Sequence, residues 1–276
     1  MGMDFGQSLE SRVVTLLENG QIAEAVNLAT QSANSGDPEG MCVLAQMYYH
    51  GAGMIQDVEM AVHWYKRAAD AGYPEAMYEY AVFCAEGECV PKSMVESNKY
   101  MLQAANLGYA PAEFQMGLRC ADEEKYQEAF SWYMKAAKQG VPGAQLFAGE
   151  SYEYGEGVEQ NLSEALNWYR AAADQGNTDA MVSAAKILGA LVANFTYQPD
   201  EEMFQEAFHW LSKAVEAGNL EAHFFLAVMY LDGLGVQQND KLAYEYLKLA
   251  ADAGHEQSKE FLSRFRRNIY GDYYFT

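Results

Sequence analysis

Five histidines, four cysteines and 39 acidic residues are the side chains here that might hold a metal, attack a carbonyl or move a proton. Each chemistry needs a spacing. A helical metal site wants ligands three or four residues apart, and no two of His50, His63, His209, His223 and His255, nor any of them and a cysteine, are so spaced. No metal or other cofactor is expected. Cys42, Cys84, Cys89 and Cys120 contain no C-x-x-C pair and no even framework, the pattern of reduced, buried thiols in a cytoplasmic chain. There is no G-x-S-x-G elbow and no P-loop. Carboxylates are so frequent that no pair of them stands out as acid and base. An enzyme is not expected.

The acids matter as a field. Asp and Glu outnumber Lys and Arg 39 to 18, giving a net charge of −21, which excludes binding of nucleic acid through its phosphates. Half the residues are hydrophobic and 13% aromatic, enough to build a core. No apolar window of about 18 residues reads as a membrane span. The start, Met1-Gly2-Met3-Asp4-Phe5-Gly6, has neither a basic nor an apolar leader region, and Gly6 stands where a myristoylation motif needs Ser or Thr. Secretion with a removed leader is the alternative, and only then would the sequons at Asn161 and Asn194 count.

The elements that carry these residues are set by a repeat. Trp64-Tyr65-Lys66-Arg67-Ala68-Ala69-Asp70-Ala71-Gly72 recurs as Trp132 through Gly140, Trp168 through Gly176 and Trp210 through Gly218. Weaker copies end at Gly36, Gly108 and Gly254, and successive glycines lie 36, 36, 32, 36, 42 and 36 residues apart. A helix ending in Gly, then a hinge with Pro38, Pro74, Pro111 or Pro142, predicts a second helix after each glycine. That helix opens on a small residue (Gly40, Ala76, Ala112, Ala144, Ala180, Ala222), followed four and five places on by pairs such as Leu44-Ala45 and Leu226-Ala227. Those positions share one helix face and form the packed stripe. A Gly-x-Gly turn closes the pair at Gly51-Gly53, Gly155-Gly157 and Gly233-Gly235, while the second copy keeps Gly87 and places Cys89 at the second position.

These residues resemble the Sel1-like repeat family, relatives of the tetratricopeptide repeats. The match is fullest from Ala144 to Gly176, with Tyr152, Gly155-Glu156-Gly157-Val158, Ala165, Trp168-Tyr169 and Ala171-Ala172, and nearly as full from Ala222 to Gly254. The resemblance implies an all-α fold, a right-handed αα-superhelix of about seven helix pairs. It is expected to form a single solenoid domain over residues 1–276. Residues 1–36 supply a degenerate first pair, 37–254 the repeats, and 255–276 a capping helix with an aromatic tail. Trp64, Trp132, Trp168 and Trp210 are then core anchors before anything else.

Departures from the period are where function concentrates. The third copy is four residues short after Cys120, and the fifth is six long, Ile187 to Asp200 replacing its turn. The insertion reads either as a partner contact or as filler for altered stacking. The tail Tyr270-Gly271-Asp272-Tyr273-Tyr274-Phe275-Thr276 reads either as a cap on the last repeat or as a contact with a neighbouring molecule.

The resemblance implies binding of another protein on the concave face, which in the tetratricopeptide relatives is lined by the first helix of each pair. Counting from the small residue, offsets of two, three, six and ten point away from the stripe. They name Tyr78, Glu79, Glu86, Phe114, Asp122, Phe147, Glu150, Tyr154, Phe224, Phe225 and Asp232 as the candidate lining. Aromatics mixed with acids suit a basic, partly apolar protein or peptide; the competing reading is that the aromatics pack against the next repeat. The resulting expectation is a non-enzymatic scaffold or adaptor. The alternative is a dedicated inhibitor, such as a bacterial immunity protein that neutralises a basic toxin.

Overall fold

The computed structural model describes residues 8–195, 201–267 and 273–275. The chain gathers into two units, Met1–Glu123 and Glu124–Thr276. The first holds α1 (Leu9–Glu18), α2 (Ile22–Asn34), α3 (Pro38–His50), α4 (Val58–Asp70), α5 (Pro74–Glu86), α6 (Met94–Asn106) and α7 (Ala110–Asp122). The second holds α8 (Tyr126–Lys138), α9 (Pro142–Tyr154), α10 (Leu162–Asp174), α11 (Thr178–Phe195), α12 (Glu201–Glu216), α13 (Leu220–Asp232), α14 (Asp240–Asp252) and α15 (Glu256–Leu262). A hairpin of β1 (Phe265–Arg267) and β2 (Tyr273–Phe275) closes it. Within each unit every helix packs on the helices before and after it in the chain. Chain order is stacking order, which is what an αα-solenoid means.

Local chemistry sets the helix ends. Asp57, Ser93, Asn161 and Asn239 accept hydrogen bonds from first-turn amides of α4, α6, α10 and α14, satisfying donors the helix leaves open. Pro38, Pro74 and Pro142 begin α3, α5 and α9, where a missing N–H costs nothing. The packed stripe is where the spacing predicts it. Ala76, Ala112, Ala144, Ala180 and Ala222 have no exposed surface, and a Cβ on Gly40 would fall 2.3 Å from Ser32 Oγ. On the second helices the double alanines, such as Ala68-Ala69 and Ala136-Ala137, are buried to match.

The second glycine of each turn has a separate reason to be there. A Cβ on Gly157 would lie 2.1 Å from the carbonyl oxygen of Tyr126, and one on Gly235 would lie 2.7 Å from Phe204 backbone. The turn is pressed against the start of the preceding second helix, and only a bare Cα fits. Cys89 keeps the left-handed backbone at this position, φ 56°, and is exposed.

Both departures from the period have a structural form. Where the third turn is deleted, Glu123, Glu124 and Lys125 link α7 to α8, with Glu124 at φ 59°, and the two units meet at that link in the sequence. The fifth copy lengthens its first helix, so α11 has 18 residues where α9 has 13. Residues 196–200 of the insertion lie outside the described residues.

The capping helix expected within 255–276 runs only from Glu256 to Leu262, and beyond it Phe265–Arg267 pairs antiparallel with Tyr273–Phe275. The reason is a change of period, because Phe265 is buried while Arg266 beside it is exposed, an alternation that suits a strand and not a helix. Phe275 returns onto the stack, its ring 5.2 Å from Phe265 and 5.9 Å from Phe261. Its backbone N–H donates to Asp240 Oδ2 at 3.1 Å. The rest of the tail lies outside the described residues.

Candidate interaction face

In the first unit the candidate residues centre on α5. Tyr78 is half-buried with its ring 5.5 Å from Tyr109, and Glu79 beside it is half-buried too. One turn earlier Glu75 accepts a 2.7 Å hydrogen bond from Gln46 Nε2. Burial pushes both carboxyls above the usual carboxylate range. For Glu75 the charges of Glu10 and Glu79 push further, while for Glu79 the nearby His50 pulls back. Phe114 is half-buried on α7, whereas Glu86 and Asp122 are exposed at the ends of α5 and α7. The unit therefore brings Tyr78 and Glu79 together with Glu75, Gln46, His50 and Tyr109. Offsets of two, three, six and ten from the small residue do not select Glu75 or Tyr109. The repeated step Gly72-Tyr73 and Gly108-Tyr109 was the available signal.

In the second unit the candidates divide. Phe147 stacks on Tyr133, centroids 5.2 Å apart and planes 26° from parallel. Phe224 is buried, edge-on to Phe225 at 5.4 Å and Phe261 at 5.0 Å. Both rings serve packing. Phe225 is half-buried beneath the ammonium of Lys186, 5.6 Å from the ring centre, and Asp232 is exposed. Glu150 is half-buried, and burial together with the charges of Glu153, Glu156 and Asp179 raises its pKa. Tyr154 is 63% exposed, a large ring area with little of its own chain to cover it. Neighbouring Glu153 accepts a 2.5 Å hydrogen bond from the fully buried Tyr169.

The tryptophans carry cations of their own. Arg67 lies 4.3 Å from the Trp64 ring centre, Lys135 3.7 Å from Trp132 and Lys213 5.1 Å from Trp210, each from the next turn of the same helix. Those rings are occupied within the chain. Among the described residues no group of three His, Cys, Asp or Glu is placed to hold a metal, and no helix is long and apolar enough to cross a membrane.

A Sel1 repeat profile matches residues 38–73, 74–109, 110–141, 142–177, 202–219 and 220–255. The chain belongs to the Sel1-repeat family. Each full match ends one residue past a glycine of the series, and the fifth covers only the second helix, since the lengthened α11 departs from the consensus. A protective antigen of uropathogenic Escherichia coli with an SLR fold is 26% identical, with a TM-score of 0.72 over 86% of this chain and 50% of its own. A Sel1 repeat protein of Oxalobacter formigenes is 30% identical, with a TM-score of 0.68 over 88% of this chain and 99% of its own. An uncharacterized protein of Neisseria meningitidis serogroup B is 27% identical over 126 residues, 46% of this chain. The match spans a quarter of that relative's length. Sel1 repeats are protein-interaction modules as a class, and their scaffold is typically non-enzymatic.

Proposed function

We propose that this Sel1-repeat chain is a non-enzymatic scaffold or adaptor that binds a basic, partly apolar protein surface through first-helix residues of its repeats. One observation carries the reading. Glu79 and Glu150 are half-buried carboxylates with raised pKa values, and among the described residues neither has an ion pair within the chain. A half-buried charge without an ion-pair partner is costly to the free protein, and a partner cation placed there recovers that cost. Tyr78 and Tyr154 add amphipathic ring area beside the two acids. The net charge of −21 steers cationic partners from a distance. A cytoplasmic site of action belongs to the same reading, since Cys42 and Cys84 are buried thiols outside any disulfide and burial pushes the Cys42 thiol upward.

The test uses a Lys- and Leu-rich amphipathic peptide and its Glu-substituted counterpart, titrated into the full chain by calorimetry. The basic peptide should bind, weakening about tenfold between low and high salt as screening grows. Glu79→Gln and Glu150→Gln together should weaken it by about the same factor. Equal binding of the acidic peptide, or an affinity indifferent to salt, rejects the acidic face as the binding surface.

A further inference from the structure

The second unit contains a cavity of about 370 Å³ between α11, α12 and α13. Its walls are Ala185 and Gly189 of α11, Phe204 and Leu211 of α12, and Phe225 and Met229 of α13. Pockets that hold small molecules span roughly 300–1,000 Å³, are mostly apolar and carry a few polar groups that fix orientation. Among the described lining residues the one charged group is Lys186. Its Nζ lies 3.5 Å from Glu221 Oε1, a pair whose side chains are 42% and 50% exposed. Such a pair is weak and exchangeable.

Gly189 is the second, independent observation. It sits inside a helix without left-handed backbone, and a Cβ added there would meet no atom of the described residues within 4 Å. No close approach demands a glycine. A glycine in mid-helix costs stability relative to alanine, and among the described residues no packing contact offsets it. What the missing side chain preserves is open space in the wall of the cavity.

We infer that this cavity binds a small amphiphile: an apolar chain or ring seated between α11, α12 and α13, with a carboxylate on Lys186 in place of Glu221. The chain's overall negative charge opposes anions at a distance. Burial of the apolar part therefore drives entry, and Lys186 selects the head group. The site lies on the insertion-bearing repeat and is independent of the basic-partner reading, so either can fail alone.

The test is calorimetric titration of the full chain with decanoate, decanol and decylamine, each below its micelle or solubility limit. Decanoate should bind saturably at one site per chain and about fivefold more tightly than decylamine. Lys186→Ala should remove that preference and leave decanol unchanged. Gly189→Leu, which fills the cavity, should abolish binding of all three. Gly189→Ala should raise Tm through helix propensity alone and weaken binding. Should Gly189→Leu fail to fold, Val228→Trp blocks the cavity from α13. Decanoate bound equally by a folded cavity-filled variant, no saturable binding, or an affinity blind to the head group overturns the inference.

Discussion

Under the proposed reading, Glu79 and Glu150 set the free protein against its bound form. Burial raises the pKa of both, and for Glu150 three neighbouring acids raise it further. The folded state therefore holds these protons more tightly than the unfolded state does. By linkage, stability is fully present below the unfolded carboxylate pKa and declines as pH rises through the folded value. At neutral pH the charged forms burden the fold. Glu79→Gln and Glu150→Gln should each raise Tm at pH 7, by about 2 °C for a chain of this size. The gain should vanish near pH 4, where the wild-type groups are already protonated. Thermal melts of the single variants at both pH values check this; a fall in Tm at pH 7 would mean that the carboxylates are satisfied in the free chain. How far such a site is legible in sequence depends on the residue. Offsets from the packed stripe point to Tyr78, Glu79, Glu150 and Tyr154 by helical angle alone, and none of the four is fully buried. The same arithmetic selected Phe224, whose neighbours His255 and Phe261 come from the atypical closing segment. An angle gives a direction; it does not say what the next element sends to meet it.

At the scale of the element, the glycine turns separate two demands that sequence shows as one motif. Gly155 and Gly157 both have left-handed backbone, φ 74° and 76°. Around Gly155 the nearest atom to an added Cβ is 3.5 Å away, an ordinary contact, while at Gly157 it is the Tyr126 carbonyl oxygen at 2.1 Å. Gly155→Ala should thus cost only the left-handed penalty, about 1 kcal/mol. Gly157→Ala must also push the turn off the start of α8, and should cost about 3 kcal/mol or more. Urea midpoints at unchanged m-value measure the two, and equal losses would show that the turn does not bear on α8. The helices themselves were legible because each ends on a repeated signal, proline or a polar cap at the start and glycine after the end. The closing hairpin was not. Each strand has three residues, too short for alternation to outweigh a neighbouring helical pattern, and its partner strand lies across residues that carry no repeat.

Across the whole molecule, 39 acids against 18 bases leave a charge of −21 at neutral pH. Compact folding brings those charges together, so self-repulsion lowers stability. Salt shortens the range of that repulsion, to about 10 Å at 0.1 M. Tm should therefore climb by several degrees, roughly 3–5 °C, between about 20 mM and 300 mM NaCl. The same ions weaken attraction to a basic peptide, so folding and binding should respond to salt with opposite sign. That opposition is the diagnostic, because nonspecific salt stabilisation of the fold would not loosen a complex. Melting curves and peptide titrations run across one salt series give both slopes. Slopes of the same sign would mean that apolar contact dominates association and that the acids only keep the solenoid soluble. A variant with several exposed acids of the second helices neutralised, such as Glu59 of α4, Glu128 of α8 and Glu245 of α14, should flatten the stability slope while leaving most of the binding slope in place. The distribution of charge, not its total, then decides where a partner sits.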